Sequence, residues 1–145
     1  MPLFLPQKPY LPIGTLRAVV SYPAPPEGFS DEAIREALEA CGLSRLAQCL
    51  DEASSWYQEL SPGEQQRLAF ARLLLQAPDF IFLDEATSAM DEANERTMYT
   101  LLKERLPKAA IVSVGHRKSL LEFHQRVLAV QSGQATLSLT AQPAG

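Results

Sequence analysis

Positive charge is in short supply in this chain: 13 lysines and arginines stand against 17 acidic residues, for a net charge of −4. That balance supplies no basic field of the kind that gathers a nucleic-acid backbone. Long apolar runs are missing as well. None approaches the roughly 20 residues that cross a bilayer as a helix. The opening Met1-Pro2-Leu3-Phe4-Leu5-Pro6 is too short, and lacks the basic flank, to read as a secretory leader. Any work at a membrane is expected to pass through a partner. Cysteine is scarce, and Cys41 and Cys49 do not have C-x-x-C spacing. They are expected to be structural thiols in a reducing compartment, neither a disulfide nor metal ligands. What remains is 46% hydrophobic and 21% charged over 145 residues, which suits one soluble globular domain or part of a larger one.

Proline organises the first stretch. Pro2, Pro6, Pro9, Pro12, Pro23, Pro25 and Pro26 all fall before residue 30 and deny it continuous helix or central strand. A short strand is expected at Leu3 to Leu5, then a loop, then a short helix capped by Thr15. Ala33, Ile34, Ala37, Leu38 and Cys41 recur at helical spacing between Ser30 and Gly42. Ser44 is expected to cap a further short helix. Ser61 to Gln76 carries the strongest helix pattern, with Ser61 at N-cap, Pro62 at N1 and Glu64 at N3. That is a capping box, with proline where its missing N–H costs least. Leu68, Ala71, Leu74 and Leu75 are its expected buried stripe. Phe80 to Leu83, four apolar residues in a row, predicts a strand covered on both faces. A helix capped by Asp91, a second buried strand at Ala109 to Val114 and a terminal hairpin around Ser132-Gly133 follow. Strands alternating with helices predict an α/β core. The expected division is 1–14, a helical stretch 15–76, the rest of the core 77–140 and a tail 141–145. There is no internal repeat and no low-complexity tract.

Two segments carry chemistry. Phe80-Ile81-Phe82-Leu83-Asp84-Glu85 ends an apolar strand in adjacent carboxylates. Successive strand residues point to opposite faces, so the two acids can take different work. Asp84 can hold Mg²⁺, which keeps several waters and takes few protein carboxylates. Glu85 can orient or deprotonate an attacking water. The pair alone reads equally well as a solvated strand end; its apolar run and the following Ala86-Thr87-Ser88 favour the site. The second segment is Ser61-Pro62-Gly63. The helix it opens presents unpaired amides and a positive dipole end, which suit a phosphate. Gly63 permits close approach, and the Ser61 hydroxyl can donate. By itself this turn reads first as an ordinary capping box. His116 follows a buried strand at its C-terminal end, where ligands gather in parallel sheets. A plain surface histidine is the competing reading there, as a plain polar loop residue is for Gln7. His124 is expected to be structural. Arg67 and Arg72 are expected on a solvated helix face.

Taken in order, these pieces resemble the second half of an ATP-binding cassette (ABC) ATPase domain, a P-loop NTPase fold. Gln7 is similar to the family's Q-loop, and Leu60-Ser61-Pro62-Gly63-Glu64 to its signature motif. Phe80 to Asp84 is similar to the Walker B strand, Ser88-Ala89-Met90-Asp91 to the D-loop, and His116 to the switch histidine. The resemblance runs from residue 3 to about 131. It implies ATP and Mg²⁺, with Glu85, His116 and Gln7 as catalytic residues, and Ser61, Gly63, Glu64 and Asp91 on the nucleotide. Asp84 and Gln7 would face the metal. It also implies two partners: a transmembrane domain and a second ATPase domain, with ATP sandwiched between the two ATPase domains. The location implied is the cytoplasmic face of a membrane, such as a bacterial inner membrane. Glu64, Tyr10-Leu11-Pro12-Ile13-Gly14-Thr15-Leu16-Arg17 and Ser113-Val114-Gly115-His116-Arg117 resemble the peroxisomal fatty-acyl-CoA transporters and their bacterial relatives.

The departures from the family are specific. Pro62 stands for the usual glycine and Met90 for the usual leucine. The phosphate-cradling G-x-x-x-x-G-K-[ST] occurs nowhere in these residues. ATP hydrolysis is therefore expected of a parent assembly, and the 145 residues alone are expected to be inactive. A short docking module for intact cassettes and a soluble non-transport ABC ATPase fragment are the alternatives. The segments Lys8 to Val20 and Ser54 to Glu59 are expected to meet the membrane domain, with Tyr10, Leu11, Ile13, Trp56 and Tyr57 as anchors. Packing inside the helical part is the competing reading, above all for Trp56.

Overall fold

The computed structural model describes residues 1–140; the expected tail at 141–145 lies outside them. Two compact units are present, one spanning Met1–Val114 and one beginning at Gly115.

In the first unit, β1 (Pro2–Leu5) runs into the proline-rich loop and then β2 (Gly14–Thr15). The Thr15 hydroxyl accepts the Ala18 amide at 3.2 Å and caps α1 (Leu16–Ser21), as its sequence predicts. Ser30 caps α2 (Asp31–Ala40) in the same way, and Ile34, Ala37 and Leu38 bury its inner face. Gly42, at φ +74°, turns the chain out of α2. The expected cap at Ser44 is not made. Residues Ser44–Gln48 form a 3₁₀ turn entered from Leu43 with no side-chain cap, held by burial of Leu43, Leu46 and Ala47. β3 (Ala53–Ser54) pairs antiparallel with β2, and α3 (Trp56–Glu59) leads to α4 (Pro62–Gln76).

The α4 helix starts on the expected capping box. The Ser61 hydroxyl accepts the Glu64 amide at 3.2 Å, and the Glu64 carboxylate accepts the Ser61 amide at 3.0 Å. Its burial is not the single stripe the pattern predicts. Leu68, Ala69, Phe70, Ala71 and Leu73 are buried together with Gln65, Gln66 and Arg72, while Leu74 and Leu75 are half-buried. The reason is position. α4 packs against α1 and α2 and also against α5 (Glu92–Arg105), so more than one side is covered. Such a helix buries polar side chains only where they find partners.

The sheet has the order β1-β4-β5, all parallel, with β4 (Phe80–Asp84) central and β5 (Ala110–Val114) at one edge. The prediction that β4 is covered on both faces does not hold in this unit. Ile81 and Leu83 are buried, whereas Phe4, Phe82 and Val112, in register across the sheet, are exposed. α5 lies over the buried side, where the Tyr99 hydroxyl meets the Ser113 hydroxyl at 2.8 Å. No element of the unit covers the Phe82 side. The architecture is mixed α/β, a parallel sheet beside a helical region.

The second unit opens with a 3₁₀ turn, Lys118–Phe123, and continues as an antiparallel hairpin, β6 (Arg126–Gln131) and β7 (Gln134–Leu139). Ser132 and Gly133, both at positive φ, make the two-residue turn that matches strand twist. His124 is structural as expected, its Nδ1 lying 2.7 Å from the Leu120 carbonyl.

Candidate functional site

The end of β4 is where the structure departs most from a simple strand. Asp84 is the last ladder residue, paired with Val114. Glu85 follows in the left-handed region at φ +51°, a conformation that costs a non-glycine residue about 1–2 kcal/mol. The Glu85 amide donates to Val114 O at 2.8 Å, and its carbonyl accepts from Ser88 N at 3.2 Å. Strained backbone of this kind collects at functional sites. The two carboxylates are therefore separated by a left-handed turn and not by the strand pleat that the sequence predicts. Asp84 is exposed and Glu85 half-buried. Thr87, buried, donates to the equally buried Glu95 and ties the turn to α5. Asp91 caps α5, its carboxylate accepting the Asn94 amide at 2.7 Å.

The turn after Glu85 lies against the start of α4. A Cβ added at Gly63 would come 3.1 Å from the Ala89 carbonyl. The close approach that Gly63 permits in this chain is therefore to its own backbone. One turn along, the Gln66 side chain is buried at 2% exposure. Its Oε1 accepts the Ala89 amide at 2.9 Å, and its Nε2 donates to Gln7 O at 2.8 Å and to Ser88 Oγ at 3.2 Å. Three segments far apart in sequence meet on one side-chain amide. They carry Gln7, Ser61 with Gly63, and Asp84 with Glu85. Gln7 itself is exposed in its loop.

Electrostatics at the turn are set within the chain. Glu64 Oε2 meets Arg45 Nη2 at 2.5 Å. Burial raises the Glu64 carboxyl, but the Ser61 amide, the Arg45 guanidinium and the Ser61 hydroxyl outweigh it and hold the group below the ordinary carboxylate range. Glu64 is thus an anion committed to its cap. Ser61 is exposed at the helix start.

Several residues are not where their sequence setting predicts. Arg72 is buried, not solvated: it donates to Val19 O at 2.9 Å and Tyr10 O at 2.8 Å and lies 5.2 Å from the Tyr22 ring. Burial pushes its pKa down to about 10, which leaves it charged at neutral pH. Arg67 donates to Gly42 O at 2.9 Å. Trp56 is buried with its indole N–H on Gly14 O at 3.1 Å, and Leu11 is buried as well. Neither is available as a surface anchor. Tyr10 and Ile13 are exposed, and Lys8 lies over the Tyr57 ring at 4.9 Å. His116 opens the second unit and is exposed. Gln66 is the site-region residue that the sequence reading missed. A polar residue flanked by glutamine and arginine on a helix carries no mark of burial.

Comparison with known proteins gives the family. The ABC transporter family matches residues 7–88, more than half of the chain. An uncharacterised ABC transporter ATP-binding protein of Haemophilus influenzae is 46% identical over 126 residues, covering 87% of this chain and 21% of that protein. The human lysosomal cobalamin transporter ABCD4 is 45% identical over 141 residues, covering 90% of this chain and 23% of that protein. A solved bacterial Atm1-family ABC exporter with ATP bound superposes with a TM-score of 0.77 at 25% identity, covering 92% of this chain and 24% of that one. The chain thus spans about a fifth to a quarter of the relatives it matches. A chloroplastic D-family transporter of Arabidopsis thaliana, 37% identical, agrees with the finer resemblance carried by the segments around Tyr10 and Ser113. The chain belongs to the ABC transporter family and forms part of its ATP-binding domain.

Proposed function

We propose that these residues supply the signature and Walker B half of an ATP-hydrolysing site that powers transport across a membrane. The observation that carries this is the junction at Gln66, where the loop of Gln7, the turn of Glu85 and the helix of Ser61 share one buried amide. In this proposal Glu85 accepts the proton of the attacking water, and Gln7 and His116 orient water and terminal phosphate. Ser61, Gly63, Glu64 and Asp91 belong to the nucleotide-facing surface. Because the Glu64 and Asp91 carboxylates are engaged in caps, their part is to fix backbone amides, while the Ser61 hydroxyl and the Gly63 amide meet phosphate. Among the described residues no three His, Cys, Asp or Glu side chains gather as a metal site. The donor set fits Mg²⁺ only as Asp84, with Gln7 nearby in the chain's site, and with phosphate and water completing the shell. Bound there, Mg²⁺ would neutralise phosphate charge.

The partners proposed are a P-loop-bearing ATPase domain across the nucleotide and a transmembrane domain. Among the described residues no helix is long and apolar enough to cross a membrane. The cytoplasmic face of a membrane, reached through that partner, is the proposed location. The helical stretch 15–76 is the proposed helical subdomain. The proposed membrane-domain contacts reduce to the exposed Tyr10 and Ile13 and the half-buried Tyr57 under Lys8, since Leu11 and Trp56 are buried.

Nucleotide-dependent pairing tests this directly. A segment bearing G-x-x-x-x-G-K-[ST], fused ahead of Met1 in a Glu85→Gln background, is expected to dimerise on adding MgATP, as read by light scattering. Ser61→Arg, which fills the phosphate-facing surface of α4, is expected to abolish pairing. A dimer indifferent to Ser61→Arg would show that the α4 start does not face nucleotide.

A further inference from the structure

We infer that Gln66 is a positioning residue that sets the spacing between the signature turn, the Gln7 loop and the turn carrying Glu85. The inference rests on the function proposed above and adds to it a buried residue that acts through the segments it joins. The orientation of the amide follows from its partners. Ala89 N–H can only donate, so it faces Oε1; Gln7 O can only accept, so it faces Nε2. The second Nε2 hydrogen lies between Ser88 Oγ at 3.2 Å and Glu85 O at 3.5 Å. Both Nε2 hydrogens and one Oε1 lone pair of the amide are thereby used in a place that is 2% exposed. Partially satisfied, such a group destabilises what it joins; fully satisfied, it fixes it. Gly63 completes the junction, because a Cβ there would stand 3.1 Å from Ala89 O. The Ser88–Ala89 backbone is held on α4 at two points, one polar and one steric.

The partners lie 59 residues away at Gln7, and 22 and 23 away at Ser88 and Ala89. The β1–β4 ladder, in register at Leu5 and Leu83, sets the Gln7 loop beside the Glu85 turn, and the Gln66 amide joins both to α4. α4 cannot shift along its axis without drawing backbone at Gln7 and Ala89 with it or breaking these bonds. Loss of Gln66 is expected to slow the chemical step through misplacement of Glu85 and Gln7, while nucleotide binding at the P-loop is retained.

Two variants separate positioning from general stability. In the 145-residue chain, Gln66→Leu is expected to raise hydrogen exchange of the Ala89 amide by about tenfold or more. The amides of Phe70, Leu73, Ile81 and Leu83 are expected to stay within about twofold of wild type. Gln66→Glu keeps an acceptor for Ala89 but loses both Nε2 donors and turns a buried carboxylate toward Gln7 O and Glu85 O, so it should not restore Ala89 protection. In the fusion with a P-loop segment, both variants are expected to lower kcat by about tenfold or more with ATP affinity changed less than about threefold. Unchanged Ala89 exchange in Gln66→Leu overturns the inference. So does a uniform rise across the core amides, or a fall in affinity matching the fall in kcat. A wild-type fusion without turnover would remove the proposed function, while the exchange pattern still decides whether Gln66 fixes the junction.

Discussion

Glu85→Gln, made in the P-loop fusion, is expected to reduce ATP turnover by about 10²–10⁴-fold while leaving ATP bound. The amide keeps the shape of the carboxylate but cannot take the proton of the attacking water. The backbone role of Glu85 survives the change, because its amide bond to Val114 O and its carbonyl bond with Ser88 N do not involve the side chain. The substitution therefore removes proton acceptance while keeping the backbone bonds of the turn. Asp84→Asn is expected to act differently, raising the Mg²⁺ concentration needed for turnover. Single-turnover rates and nucleotide binding measured on the same preparations distinguish the two. Equal turnover in wild type and Glu85→Gln would show that the base lies elsewhere.

The second large effect is on stability. Arg72→Met is expected to cost roughly 2–4 kcal/mol in urea unfolding, because buried carbonyls lose a charged donor. Methionine fills much of the volume but leaves Val19 O and Tyr10 O without the bonds at 2.9 and 2.8 Å. It also removes the cation from the Tyr22 ring. Those partners lie 53 and 62 residues back along the chain, so the substitution loosens the whole loop from Tyr10 to Val19 against α4. Arg67→Met, whose partner Gly42 O sits in a more exposed setting, is expected to cost less than half as much. A destabilisation for Arg72→Met within about 0.5 kcal/mol of wild type would mean that the guanidinium behaves as a surface group.

Arg72 and Gln66 mark the boundary of what was legible in the sequence. The local features could be read directly. The capping box at Ser61 and Glu64, the caps at Thr15, Ser30 and Asp91, and the Ser132-Gly133 hairpin turn depend on residues a few positions apart. The order of motifs from Gln7 to His116 carried the family and the fold class. Burial on α4 could not be read. The partners of Gln66 and Arg72 are backbone carbonyls and one amide in remote loops, and a backbone group leaves no signature in the residue that bears it. Helical periodicity assigned a single stripe to a helix that tertiary packing covers on more than one side. The apolar run Phe80 to Leu83 was read correctly as a strand but wrongly as covered on both faces, because cover is a property of neighbouring elements. Glu85 at positive φ was hidden for a related reason. Glycine would have announced the left-handed turn, whereas glutamate there has to be forced into it by the bonds to Val114 and Ser88. Trp56 was divided between core and partner surface until its indole found Gly14 O.

The exposed row of Phe4, Phe82 and Val112 gives the divided site a structural counterpart. In the proposed function the chemistry depends on a complementary segment that carries the phosphate-cradling loop. ATP turnover by three preparations tests that claim most directly: this chain alone, a P-loop segment alone, and the P-loop segment fused ahead of Met1 of this chain. The account predicts turnover from the fusion only, lost on Glu85→Gln. Turnover by the 145 residues alone, or by a fusion in which Glu85→Gln makes no difference, would contradict it.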